Sequence, residues 1–323
     1  MDLSIFFAGT AGSVPSARRG LPASLIRRGA DRILIDCGEG TQRQLLRSVG
    51  LADITDVFLT HLHTDHWLGL PGMLKSFDLR DRDRPLTIHG PPGTRRLLEG
   101  LRPIWGGTGY EVTIVEPAAM EPIARDGYTI SAIPVRHRGT AYGYALVEDP
   151  RPGRFDAALA ERLGVPPGPA FGALQRGEVV NGVDPEQVIG PERPGRKIVL
   201  SGDTRPCETV AIAAHQADLL VHEATFTSED ADRARKTGHS TAAEAAALAR
   251  DAEVALLALT HLSTRYAGRE LRDEARAIFP RSEVPRDFDA IEIPFPEKGA
   301  PELVRWSGAP PPAPAVPAEA ARP

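Results

Sequence analysis

Short apolar runs separated by polar stretches recur along the chain and set its architecture. Leu3 to Phe7, Arg32 to Ile35, Val57 to Leu59, Leu86 to His89, Thr129 to Pro134, Lys197 to Leu200, Leu219 to His222 and Ala255 to Leu259 each have the length and side chains of a strand. Between several of them lie helical stretches, namely Thr41 to Val49, Pro92 to Gly100 and Thr241 to Asp251. The last is Ala-rich, and Thr241 with Glu244 has the form of a capping box. Strands alternating with helices predict an α/β fold. The chain shows no internal repeat of fixed short period.

Two segments break this rhythm. Asp149 to Gly195 is crowded with Pro and Gly and is long for a connector, which makes it a functional insertion or a mobile loop. Gly308 to Pro323 is mostly Ala and Pro and reads as a disordered tail.

Composition narrows the class without naming it. A chain of 323 residues with 41% hydrophobic content can bury a large core as a soluble globular protein. Its net charge of -5, from 38 Lys and Arg against 43 Asp and Glu, means that any nucleic acid must be held by local patches. The pairs Arg27-Arg28 and Arg95-Arg96 and the run Arg80 to Arg84 could join such a patch, though charges like these are more often a solvated face. Cys37 and Cys207 give no disulfide framework, and the chain has neither a signal peptide nor a long apolar span, so a reducing cytoplasm is predicted. Cys37 reads as a small buried residue after a strand rather than as redox or metal chemistry, and Cys207 is read in the same way.

The chemistry is concentrated in Thr60-His61-Leu62-His63-Thr64-Asp65-His66, directly after the apolar run Asp56 to Leu59. Residues two apart in an extended segment point the same way, so His61 and His63 can grip one cation from a strand end. Asp65 and His66 follow at a turn before the apolar stretch Trp67 to Leu74, and would project from a helix start toward a neighbouring point. One segment can thus serve two adjacent metals. Imidazole and carboxylate without thiolate suit zinc, with manganese or iron as alternatives. The competing reading is a polar loop of solvated histidines. Three further strand ends each offer one ligand: His137 after Thr129 to Pro134, Asp203 in Ser201-Gly202-Asp203-Thr204, and His261 after Leu256 to Leu259. Alone, each would be a capping or surface residue. Alongside the histidine run they extend it, and a carboxylate such as Asp203 can bridge two cations.

These residues carry a resemblance. THLHTDHWLGLPG, His137, SGDT, HEAT at His222 to Thr225, TGHST at Thr237 to Thr241 and LTHLSTRY at Leu259 to Tyr266 resemble the metallo-β-lactamase fold and, within it, ribonuclease Z. DCGEGTQRQLL at Asp36 to Leu46 is similar to that family as well, and the match runs from near the N-terminus to about residue 285. The His-x-His-x-Asp-His motif marks the superfamily; HEAT, GHST and THLSTRY are narrower. The resemblance implies a four-layer αβ/βα sandwich over residues 1–307, with a protruding substrate-binding arm at 149–195 and the tail at 308–323. It implies two zinc ions, one held by His61, His63, His137 and Asp203 and the other by Asp65, His66, Asp203 and His261. It further implies removal of the 3′ trailer from precursor tRNA, leaving a 3′-hydroxyl on the tRNA and a 5′-phosphate on the trailer.

By the same resemblance, Asp65 orients or deprotonates the attacking water, and His239, oriented by Glu223, protonates the departing oxygen. Arg265 clamps a phosphate. Gly164 to Glu178 corresponds to the arm tip that holds the tRNA elbow, and the enzyme is a homodimer without membrane attachment. Two features depart from the family pattern. The arm region is not markedly basic: acidic residues nearly match Arg151, Arg154, Arg162, Arg176, Arg193, Arg196 and Lys197 in number. The loop Pro15-Ser16-Ala17-Arg18-Arg19-Gly20 lacks the lysine and asparagine of a Pro-x-Lys-x-Arg-Asn-like loop; Arg19 keeps the matching charge for gripping the acceptor end. His89, His215 and His222 are expected to be structural or surface histidines. The alternatives to this reading are a phosphodiesterase or sulfatase of the same superfamily acting on small molecules, and a non-catalytic RNA-binding protein on the same fold.

Overall fold

The computed structural model describes residues 2–51 and 53–308, so the tail expected over 308–323 lies outside the described residues except for Gly308. The strands in chain order are β1 (Leu3–Gly9), β2 (Ala23–Arg28), β3 (Asp31–Ile35), β4 (Asp56–Phe58), β5 (Leu86–His89), β6 (Val112–Val115), β7 (Pro122–Arg125), β8 (Tyr128–Pro134), β9 (Tyr142–Glu148), β10 (Lys197–Leu200), β11 (Leu219–Glu223), β12 (Leu257–Thr260), β13 (Ser282–Glu283), β14 (Ala290–Glu292) and β15 (Glu302–Val304). They form two sheets, ordered β15-β14-β1-β2-β3-β4-β5-β6 and β13-β12-β11-β10-β9-β8-β7. Each sheet has a parallel half, β3 to β6 in one and β10 to β13 in the other.

Side-chain alternation explains the layering. Leu3, Ile5 and Phe7 of β1 and Ile33 and Ile35 of β3 point between the sheets, where they meet Ile130, Tyr144, Leu146, Ile198 and Val221 of the second sheet. The intervening Phe6, Ala8 and Leu34 face outward onto helices α1 (Thr41–Arg47), α2 (Thr64–Trp67), α3 (Leu70–Asp78) and α4 (Thr94–Trp105). A full apolar face on both sides of a strand calls for cover on both sides. Each fully buried Ile, Leu or Phe contributes about 1.5–3 kcal/mol, so the two outer helical layers are required for stability.

Between β9 and β10, the Pro/Gly-rich segment is not a bare loop. It folds into α5 (Ala157–Arg162), α6 (Pro169–Gln175) and α7 (Pro185–Val188) around a core of its own, made of Ala160, Val165, Leu174, Val183 and Val188. Bridges between Arg151 and Arg193 and between Phe155 and Ile189 close its neck. The outer face of the second sheet is then covered by α8 (Glu208–Ala214), α10 (Ala242–Asp251) and α11 (Gly268–Arg276), while α9 (Ala231–Thr237) leads into α10. The capping box of α10 is present: Thr241 Oγ1 accepts from the Glu244 N–H at 3.1 Å, and Glu244 Oε2 accepts from the Thr241 N–H at 2.9 Å. α4 runs past the expected Gly100 to Trp105 with Pro103 inside it. Strands β2, β6, β7, β9, β13, β14 and β15 were not legible as separate runs.

Candidate active site

The site lies where loops leave the ends of the two parallel half-sheets, the usual place for a ligand in such sheets. His61 and His63 follow β4, and His63 is the N-cap of α2, which carries Asp65 and His66 in its first turn. His137 follows β8, Asp203 follows β10, Glu223 ends β11, and His261 follows β12. A parallel bridge between Ala11 and Leu262 ties the loop after β1 to the loop after β12, joining the sheets at the site.

Asp203 is the hub. Its Oδ2 lies 3.7 Å from His61 Nε2, 3.4 Å from His66 Nε2 and 3.3 Å from His261 Nε2. Asp65 Oδ2 lies 3.5 Å from His66 Nε2 and 3.6 Å from His261 Nε2. His137 Nε2 faces His63 Nδ1 at 3.2 Å. The side chains fall into overlapping groups, among them His61, His63 and His137; His61, His66 and Asp203; and Asp65, His66 and His261, whose ligand atoms lie within 4.8 Å of one another. The structure thus brings together all seven residues that the sequence offers as ligands. His63 is exposed while His61, His66, Asp203 and His261 are buried, so the cluster opens to solvent on the His63 side.

The buried histidines pass a test for metal binding. The Nε2 atoms of His61, His66 and His261 are buried without a hydrogen-bond partner. Such orphans are costly unless a ligand takes their lone pairs. The opposite nitrogens are each engaged: His66 Nδ1 with Asp36 Oδ2 at 2.8 Å, His261 Nδ1 with Thr225 Oγ1 at 2.9 Å, and His61 Nδ1 with Thr60 Oγ1 at 3.1 Å. His137 Nδ1 meets the Gly238 carbonyl at 2.9 Å. A proton on Nδ1 satisfies each of these partners and leaves Nε2 as a lone pair, the usual support behind a metal-ligating imidazole. Asp36 also accepts from the Thr60 N–H at 2.8 Å, so one carboxylate sets both the histidine and its loop.

Backbone constraint accompanies this order. Asp36 and His261 both sit in the left-handed region, at φ 59° and 57°. Such positions cost about 1–3 kcal/mol each and gather at functional sites. Gly12 is required by proximity, since a Cβ there would lie 2.5 Å from His261 Nδ1. That close approach lets the next residue, Ser13, donate its N–H to Asp65 Oδ2 at 3.0 Å.

Electrostatics divide the site by role. Burial pushes the Asp203 carboxyl up, but the neighbouring His261 and His66 outweigh it and hold the group well below its usual range. Burial and the neighbouring His66 push His61 down to about 2, keeping it neutral. His239 goes the other way. Burial lowers it, but the Glu223 carboxylate, with Oε1 at 2.8 Å from Nδ1, raises it to about 9. Glu223 is fixed in turn, accepting from the Thr204 N–H at 2.9 Å and from Thr225 Oγ1 at 2.7 Å. His239 and Glu223 therefore stand as a charged pair beside the cluster, with His239 Nδ1 3.9 Å from Asp203.

The two expected phosphate-binding arginines differ. Arg265 is exposed. Arg19 turns inward, donating from Nη1 to the Pro285 carbonyl at 2.9 Å and to Thr10 Oγ1, while its neighbour Arg18 is exposed. Arg19 braces the loop that carries Gly12 and Ser13 rather than presenting its charge at the site. Of the arginines in segment 149–195 and just after it, Arg151 and Arg193 pair with Glu297 and Arg196 is buried against Glu148, which leaves Arg154, Arg162 and Arg176 exposed. His89 is stacked on Phe58 and bonded to Asp56, His222 is buried in β11, and His215 caps α8 at the surface; all three lie outside the site. Cys37 is buried. The supporting residues Asp36, Thr60, Gly12, Ser13 and Thr225 were not assigned to the site; Asp36, Thr60 and Thr225 lie within the motifs that carry the resemblance, whereas Gly12 and Ser13 left no signal.

Residues 20–173 match the model of the metallo-beta-lactamase superfamily, and residues 183–262 match that of the beta-lactamase superfamily domain. A ribonuclease Z of Haloferax volcanii is 47% identical over 305 residues, covering 91% of this chain and 96% of its own. A ribonuclease Z of Halobacterium salinarum is also 47% identical, over 92% of this chain and 99% of its own. The crystal structure of the short form of human tRNase Z superposes with a TM-score of 0.67 at 27% identity, covering 90% of this chain and 99% of that one. No helix among the described residues is long and apolar enough to cross a membrane.

Proposed function

This chain belongs to the ribonuclease Z family of the metallo-β-lactamase superfamily, and from that membership and the geometry of the site we propose that it is a two-zinc endoribonuclease that removes the 3′ trailer from precursor tRNA. One zinc would be held by His61, His63, His137 and Asp203, the other by Asp65, His66, Asp203 and His261. When bound, the cations supply Lewis acidity, neutralising charge on the scissile phosphate and acidifying the attacking water. The observation that carries the reading is the convergence of three buried, unpartnered Nε2 atoms on Asp203, directly beside the His239–Glu223 pair, in a chain that matches ribonucleases Z nearly end to end.

The residues then divide the work. Asp65, anchored by the Ser13 N–H, orients the water and takes its proton. His239, kept protonated by Glu223, donates from Nε2 to the departing ribose 3′-oxygen, leaving a 3′-hydroxyl on the tRNA and a 5′-phosphate on the trailer. Arg265 clamps a backbone phosphate, and Arg19 serves the acceptor end through the loop it braces. The segment 149–195 acts as an arm that holds the body of the tRNA through backbone and shape. We place the enzyme in the cytoplasm as a homodimer, in which one subunit's arm holds the RNA that the other cuts.

The test is incubation of the zinc-loaded protein with a precursor tRNA bearing a 3′ trailer, beside His63→Ala and a chelator control, with ends mapped at nucleotide resolution. A single metal-dependent cut near the discriminator nucleotide, lost in the variant, is expected. An intact precursor beside brisk hydrolysis of a small phosphodiester would overturn the proposal in favour of a small-molecule hydrolase.

A further inference from the structure

Two pairs of arginines face each other across antiparallel bridges, Arg151 with Arg193 and Arg136 with Arg205. Like charges placed directly opposite repel, so each pair calls for an anion. The first pair has one inside the protein. Glu297 accepts from Arg151 Nη1 at 2.7 Å and Nη2 at 3.1 Å, and from Arg193 Nη1 at 2.9 Å. The second pair has none: among the described residues, no carboxylate lies within ion-pair distance of either Arg136 or Arg205. The bridge is nonetheless held firmly, with the Arg205 N–H donating to the Arg136 carbonyl at 2.9 Å and the Arg136 N–H donating to Thr204 Oγ1 at 3.0 Å.

Position gives this uncompensated charge a meaning. Arg136 precedes His137, and Arg205 lies two residues after Asp203, so the pair is mounted on the two loops that carry those side chains. Arg136 is exposed and Arg205 half-buried. Exposed Arg138 donates to the Lys236 carbonyl, which draws the exposed Lys236 to the same rim. A chain with a net charge of -5 thus gathers cations beside its site.

We propose that Arg136 and Arg205 form a seat for a phosphate of the RNA backbone other than the one that is cut. The inference rests on the reading of this site as that of an RNA endonuclease. Arginine presents a planar fork that suits phosphate, and two forks converging on one phosphate meet the repulsion that the bridge imposes. Such a seat adds affinity without reading sequence, and its grip is salt-dependent because binding releases condensed counterions.

The experiment compares wild type with Arg136→Ala, Arg205→Ala, the double variant and Arg136→Lys. Precursor cleavage is measured across a range of salt concentrations, alongside hydrolysis of bis(p-nitrophenyl) phosphate and bound zinc. The expected result is a raised KM for the precursor with kcat retained, and a slope of log affinity against log salt that is shallower by about 0.7–0.9, the share of a single phosphate. Arg136→Lys should restore the slope, while the small ester and the zinc content stay unchanged. An unchanged salt slope in the double variant, or a loss of zinc and small-ester activity in step with precursor cleavage, would overturn the seat. If the wild type leaves the precursor intact, the nuclease reading itself fails, whatever the variants do.

Discussion

Replacing Glu223 by Gln should convert His239 from a standing acid into a neutral imidazole, and the size of the effect follows from the site. Glu223 raises His239 to about 9 against the opposing effect of burial, from an ordinary value of 6.5. At pH 7.5 that keeps nearly every His239 protonated; at its ordinary value about a tenth would be. Removing the carboxylate charge therefore lowers the rate at least about tenfold, and His239→Ala removes the whole acid contribution, about 10²–10⁴-fold or roughly 3–5 kcal/mol of barrier. The sign is fixed by the proton. A rate that needs protonated His239 holds as pH rises until it passes the raised value, then falls, and in Glu223→Gln the fall begins below neutrality. The assay is single-turnover cleavage of a trailer-bearing precursor against pH, with bis(p-nitrophenyl) phosphate as the control ester. Its nitrophenolate leaves without a proton, so its hydrolysis should be spared in both variants. Equal losses on the two substrates, with zinc content unchanged, would refute the assignment of His239 as the acid.

Two further outcomes follow from the structure at the arm's base. Glu297→Ala leaves Arg151 and Arg193 opposed without their carboxylate, while Phe295 still packs under the Arg151 guanidinium at 3.6 Å. The pair is partly exposed and screened by solvent, so stability should change little. The Kd for precursor, read by fluorescence anisotropy, should rise up to about fivefold as the neck of segment 149–195 loosens; a lowered Tm with an unchanged Kd would show that the neck only braces the fold. Deeper in, Glu148 joins Arg28 at 2.8 Å and Arg196 at 2.7 Å, and these partners hold its carboxyl below the ordinary 4.5 although burial pushes it up. A depressed carboxyl stabilises the fold above its unfolded value, and that stability is lost as pH falls through the folded value. Resistance to denaturant should therefore weaken as pH drops below about 4.5; Glu148→Gln should cost about 3–5 kcal/mol at neutral pH and flatten this acid slope. An equally steep slope in the variant would place the acid sensitivity elsewhere.

The sequence revealed the strands that bear chemistry better than those that do not. β4, β8, β10 and β12 each lead into a polar residue that stands out after an apolar run, and those residues meet around Asp203. By contrast β2 runs Leu25-Ile26 straight into Arg27-Arg28, and β9 holds Tyr142-Gly143-Tyr144-Ala145, so neither shows a clean period. Their burial on both faces removes the alternation that marks a strand. The inner core of segment 149–195 was also hidden, because Ala160, Val165, Leu174, Val183 and Val188 are too widely spaced among Pro and Gly to register as one cluster.

What the sequence could not expose is the layer that gives the ligands their chemistry. A histidine run states which rings are available but not which nitrogen each presents, and that choice is made at the back of the ring. Asp36, Thr225 and the Gly238 carbonyl lie far along the chain from the rings they hold, and Thr60, although next to His61, is an ordinary threonine until the fold turns its hydroxyl onto Nδ1. Together they set four imidazoles so that Nε2 faces the cluster. Asp36 does this from a left-handed backbone immediately after β3, and Gly12 allows the loop after β1 to close over His261. The strain at Asp36 and the missing side chain at Gly12 have no value to the core; they make sense only as the support of a preorganised metal site.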